Sequence, residues 1–130
     1  MNKRECVLAL RTDPQAHCNC CQAVLMAFRD ECGLTEEEAM RLGAHFGSGM
    51  RHGSTCGAVT GALMVLGMAG HGSAAATELT RRFREKNQAL DCASLLGMAK
   101  EKGEERRSHC DRMICDAAEL LEELLEGKEQ

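Results

Sequence analysis

Three of the chain's nine cysteines crowd into four positions, in the stretch His17-Cys18-Asn19-Cys20-Cys21-Gln22. Cys56, Cys92 and Cys110 follow at wide intervals, each beside residues that can start a helix. Thiols do chemistry as thiolates, which attack disulfides and bind soft metal ions. A helix N-terminus favours that form through its free N–H groups and partial positive charge. The sequence predicts Cys20 and Cys21 at the start of one helix, Cys56 at the start of another, and Cys92 and Cys110 at the starts of two later ones. A single cysteine is most simply a small buried hydrophobe. Four or five at helix starts point instead to a shared site.

The segment Thr55-Cys-Gly-Ala-Val-Thr-Gly61 adds a second signal. Gly57 and Gly61 stand one turn apart and leave a bare helix face after Cys56, which lets another backbone or a cluster approach closely. The glycine-rich loop before it lacks the Lys-Ser/Thr ending of a phosphate loop, so no nucleotide is expected. Cys18 and Cys21 form a C-x-x-C spacing, but Gln22 stands where covalent haem attachment needs histidine, so no c-type haem is expected. His17, His52 and His109 lie close to cysteines in sequence and read as surface or loop residues. The eight methionines fill a core poor in aromatics rather than signalling copper. Cys115 lies five positions after Cys110, roughly 140° round a helix. Its neighbours Asp111, Arg112, Glu119 and Glu122 predict a solvated face directed away from the site.

The elements that position these residues read as helices throughout. From Cys20 to Cys32 the apolar positions Cys21, Val24, Leu25, Phe28 and Cys32 follow one helical face, which Gly33 ends. Thr35 with Glu38 is a capping box for a helix to about Phe46. Residues 47–54 form a loop, and the next helix runs from Cys56 to about Ala69. Residues 74–87 form a helix with a charged face, and Asp91 caps a short turn, CASLLG. Residues 100–108 read as a charged loop, and Ser108 opens a last helix with Cys110, Met113, Ile114, Ala117 and Leu121 on its apolar stripe. No strand pattern competes. The chain, residues 1–130, reads as a single all-α domain, a bundle of five or six short helices.

Composition agrees with that class. Apolar residues make up 44% and charged residues 28%, ordinary values for a globular protein. With only three Phe, no Tyr and no Trp, the core must be built from Leu, Met, Val, Ala and Cys. A net charge of −4 and the lack of a basic stripe interleaved with aromatics argue against nucleic acid as a partner. The longest apolar run, from Ala58, is about 13 residues and too short to span a bilayer, so no membrane insertion is expected. The N-terminal apolar run is too short for a secretory signal. A cytoplasmic location, with reduced thiols, is the expectation.

The stretches NCCQAVLMAF, FGSGMRHGSTCGAVTGALMVLG, DCASLLG and CDRMICDAAELLEELL cover most of residues 19–125. In order and spacing they resemble the small redox-active proteins named for their C_GCAxxG_C_C cysteine pattern, which is also found in the cysteine-containing domain of split-Soret cytochromes c. The resemblance places the four family cysteines on Cys20, Cys56, Cys92 and Cys110. It implies a helical fold and a redox role, and the split-Soret relatives suggest an iron–sulfur centre. Cys21 stands where the family usually has Ala, and Cys18 is an addition, so both are candidate auxiliary thiols beside the four.

The resemblance therefore implies an electron-transfer site in which the four cysteines hold an iron–sulfur cluster, with zinc or copper(I) as other soft occupants. The alternative is a metal-free thiol–disulfide oxidoreductase using Cys20 or Cys21 with Cys56. A third reading is a helical interaction module whose cysteines only pack. Either redox chemistry calls for a redox partner protein, and the sequence leaves a homodimer open.

Overall fold

A computed structural model describes residues 2–127. Among them, eight α-helices follow one another: α1 Lys3–Thr12, α2 Cys20–Ala27, α3 Arg29–Cys32, α4 Glu36–Leu42, α5 Gly57–Met68, α6 Ser73–Asn87, α7 Cys92–Glu101 and α8 Arg106–Glu126. A single wide turn, Gly49–Gly53, closed by the Ser54 amide donating to the Gly49 carbonyl, lies between α4 and α5. No strand is present among the described residues, and one isolated antiparallel bridge joins Thr55 to Asp91. None of the described helices is long and apolar enough to cross a membrane.

Local chemistry sets most of the helix starts. Asn2, Asn19 and Thr35 each cap a helix and are answered three residues on by Glu5, Gln22 and Glu38. Asp91 caps α7 by accepting from the Ser94 amide. These caps satisfy N–H groups that have no partner inside the helix.

Helix α5 is apolar on nearly every side and is buried from Gly57 to Ala62, as expected of a helix surrounded by others. It packs against α2, α6 and α8. Fully buried Val24, Leu25, Phe28, Val65, Leu79, Phe83, Ile114 and Leu121 build the core around it. Each such side chain contributes about 1.5–3 kcal/mol by leaving water.

The all-α class agrees with the sequence, but the helices outnumber the expected five or six. Helix α1 was not expected. It forms through the Asn2 capping box and buries Val7. The helix expected over Cys20–Cys32 breaks at Phe28, whose backbone leaves the helical region (φ −109°, ψ 18°). Helix α4 stops at Leu42, short of Phe46. Asp91 caps a ten-residue helix rather than a short turn. Most of the stretch 100–108 is helical, because α7 runs on to Glu101 and α8 begins at Arg106.

Candidate functional site

Cys20 is the first residue of α2, and its approach is fixed by Asn19. The Asn19 side chain accepts from the Gln22 amide and donates to the carbonyls of Gly43 and Ala44, at 3.1 and 3.3 Å. This ties the start of α2 to the end of α4. Cys56 is the N-cap of α5, and Cys92 is the first residue of α7. The Thr55–Asp91 bridge sets these two side by side: the Cys56 amide donates to the Leu90 carbonyl at 2.8 Å and the Cys92 amide to the Ser54 carbonyl at 2.7 Å. Cys110 lies in the second turn of α8 rather than at its start, because the helix begins four residues earlier.

Glycines permit this convergence. A Cβ on Gly57 would stand 2.9 Å from the Phe46 carbonyl oxygen and 3.1 Å from Cys20 Cβ. One on Gly61 would lie 3.1 Å from both the Cys21 carbonyl oxygen and Val24 Cβ. The bare face read from the sequence is thus the α2–α5 crossing. A Cβ on Gly49 would reach within 2.7 Å of Cys92 Cβ, and Gly49 also has a left-handed backbone (φ 61°). Ser48, Met50 and Arg51 share that conformation, at φ 52°, 58° and 70°. Non-glycine residues held there cost of order 1–3 kcal/mol each.

Cys20, Cys56, Cys92 and Cys110 line one cavity of about 150 Å³. Arg11, Arg106 and His109 share its wall, with Leu95 and Met113 as apolar lining. Cys56 is buried, and the other three are half-buried. Among the described residues, no three His, Cys, Asp or Glu side chains are grouped so as to hold a metal ion.

The thiols differ in proton affinity. Cys110 is drawn down to about 6, chiefly by its hydrogen bond with Cys20 and further by Arg11 and Arg106, against its burial and Asp111. Cys20, the other member of that pair, is pushed well above the usual thiol range by the same bond and by burial. Burial pushes Cys56 up to about 11, although the amides of Ala58 and Val59 pull the other way. Cys92 is raised by burial and by Cys110, with Arg106 opposing. The pair Cys20–Cys110 thus shares one easily lost proton and one tightly held proton.

Cys18 and Cys21 lie outside the cavity. Cys21 is fully buried in the core, and burial pushes it up to about 12. Cys18 places its sulfur 3.8 Å from Met40 Sδ, and burial raises it too. Cys115 faces away from the cavity, as its helical spacing predicts, but its surroundings are not solvated. It is 2% exposed, packed among core residues, because α8 buries that flank against its neighbours.

Three wall residues went unread in the sequence. Arg11, on the last turn of α1, bonds Asp111 Oδ1 at 2.7 Å and the Cys18 carbonyl at 2.8 Å. Arg106 had been placed in a charged loop. His109 is not a surface residue: it is 3% exposed, and its Nδ1 stands 3.8 Å from Glu104 Oε1 without a hydrogen-bond partner. Desolvation lowers its pKa, outweighing the pull of Glu104, which favours the neutral ring. Its place one turn before Met113 and two before Ala117 was the available signal, since that stripe faces inward. His17 and His52 are exposed, as expected.

The family model described as "Putative redox-active protein (C_GCAxxG_C_C)" matches residues 18–124. No curated protein and no solved structure matches the chain.

Proposed function

The chain belongs to the C_GCAxxG_C_C family, and from that premise we propose that Cys20, Cys56, Cys92 and Cys110 hold an iron–sulfur cluster that carries electrons to and from a partner protein. The observation that carries this reading is the single cavity lined by these four sulfur-bearing residues from four different helices.

The donor set and the space fit such a group. Four thiolates are the usual ligands of iron–sulfur clusters. A single tetrahedral zinc ion, with bonds of about 2.3 Å, would need its sulfurs only about 3.8 Å apart. In a cluster the thiolates bind different irons and stand farther apart. Four thiolates withdrawn in part or wholly from water need compensating charge. Arg11 and Arg106 supply it from the wall, and Arg11 is itself held in place by Asp111. Leu95 and Met113 keep water from the inner side. When bound, the cluster would supply one-electron transfer between iron oxidation states.

Metal and acid-labile sulfide analysis of anaerobically purified protein, with its visible spectrum, tests this reading. Iron and sulfide in equal amounts with charge-transfer bands are expected. Colourless protein with stoichiometric zinc, or with no metal, would contradict it.

A second reading has one observation in its favour. Cys20 and Cys110 share the cavity wall, and Cys20, with Arg11 and Arg106, draws the Cys110 thiol down to about 6, which suits a dithiol that exchanges with disulfides. Of the pairs expected from sequence, Cys21 with Cys56 is disfavoured, because Cys21 is buried and holds its proton to about 12, whereas Cys20 and Cys56 line the same cavity. Metal-free protein whose reversible two-electron oxidation links Cys20 to Cys110 would select this reading.

A further inference from the structure

The arginines of this chain are unequally satisfied. Arg4, Arg11, Arg29 and Arg41 pair with carboxylates, as do Arg81, Arg82 and Arg112. Arg51, Arg84, Arg106 and Arg107 have no carboxylate partner among the described residues.

One of those four, Arg106, lines the cysteine cavity, and Arg51 and Arg107 adjoin residues of its wall. Arg106 donates to Ser48 Oγ at 3.1 Å. Arg107 donates to the carbonyl of Arg11, another wall residue. Arg51 sits two residues beyond Gly49 on the left-handed segment, with Nη1 3.2 Å from His45 Nδ1. All three are exposed. Between Gly49 and Arg51 stands Met50, 38% exposed and one of only three large hydrophobics so exposed among the described residues.

We propose that this face, centred on Met50 and edged by Arg51, Arg106 and Arg107, docks an acidic redox protein over the cysteine site. The proposal rests on the electron-transfer reading above and names the partner's chemistry. Three points support it. The chain carries a net charge of −4, so an acidic partner is repelled by the molecule at large and drawn to clustered positive charge such as this face, which orients the encounter. Internal charge compensation accounts for Arg11, 12% exposed and paired with Asp111, and for Arg106 on the cavity wall, but not for Arg51 and Arg107. A small apolar centre with a charged rim has the anatomy of a transient docking patch. The segment that presents Met50 and Arg51 holds both in a strained left-handed conformation, and such strain persists where function or packing requires it. A protein partner is favoured over a small anion because Met50 lies among the charges.

Isothermal titration of the full chain with an acidic flavodoxin tests the proposal, with a basic cytochrome c as the contrasting probe. Flavodoxin should bind at low ionic strength and weaken about tenfold or more as salt is raised through the range where the Debye length shrinks below about 10 Å. Arg51→Glu combined with Arg107→Glu should weaken binding by about tenfold, whereas Arg84→Glu on α6 should bind like the parent. Should the double variant fail to fold, Arg51→Glu alone is compared with Arg84→Glu, and a larger loss from Arg51→Glu is expected. Cys110→Ser should still dock while losing electron transfer. Docking without electron transfer in the parent would therefore count against the cluster and leave the docking face intact. Absence of flavodoxin binding at low salt, equal losses from Arg51→Glu and Arg84→Glu, or tighter binding of cytochrome c would overturn the proposal. Saturable binding of inorganic phosphate at the mouth with no flavodoxin binding would assign the arginines to a small anion instead.

Discussion

Cys110 and Cys115 lie five positions apart on α8 and meet opposite surroundings: one lines the cavity beside Arg11 and Arg106, the other is sealed in the core. Cys110→Ser should strip the site of metal or abolish its redox titration. Cys115→Ser should leave both untouched and lower stability by about 1–2 kcal/mol, since its hydroxyl would be buried without an assured partner. Metal analysis and urea unfolding of the two variants separate these effects. The thiols should also differ in alkylation of the reduced, metal-free chain. A thiol reacts as thiolate, so lowering its pKa moves reactivity to lower pH. Cys110 labelling should rise as pH passes about 6, while Cys21, held to about 12, stays unlabelled in folded protein. Cys20→Ala and, to a lesser degree, Arg11→Gln should move the Cys110 midpoint upward, since each removes a group that stabilises its thiolate. Mass spectrometry of labelled peptides across pH reads this directly. At this scale the cysteines were legible from type and spacing. Arg11 was not, because its meeting with Asp111 spans one hundred positions that no local pattern connects.

Helix ends carry the site, and the closest crossing, α2 on α5, depends on the absence of side chains. Gly57→Leu should destabilise the chain by about 1–3 kcal/mol, the usual cost of overfilling a packed interior. The effect should appear in thermal unfolding, accompanied by a change in the metal or thiol signature, because Cys20 Cβ is among the atoms displaced. A variant as stable as the parent, with an unchanged signature, would show that the glycine is incidental. Caps made several helices readable in advance: Thr35 with Glu38, Asp91, and Gly33 with its φ of 70° all act as their residue types predict. Other boundaries were set by packing. Phe28 breaks its helix while becoming fully buried, and the left-handed turns at Ser48, Met50 and Arg51 contradict the preferences of those residues. The charged run at 100–108 resembled a solvated loop because charge marks exposure, and both α7 and α8 expose residues there.

Over the whole molecule, four helices that begin or pass near one cavity are joined only by packing, caps and a single bridge at Thr55 and Asp91. An occupant held by all four would stabilise the folded chain over the unfolded one. Removing it by chelation under reducing conditions should lower the melting temperature, whereas a site that only packs thiols would show no change. The central claim, that Cys20, Cys56, Cys92 and Cys110 jointly hold an iron–sulfur cluster, is tested most directly by iron-edge X-ray absorption of the anaerobically isolated protein. The account predicts a first shell of sulfur alone together with a short iron–iron shell, both lost in Cys110→Ser and kept in Cys115→Ser. A first shell containing nitrogen or oxygen, or sulfur ligation without any iron–iron shell, would contradict it.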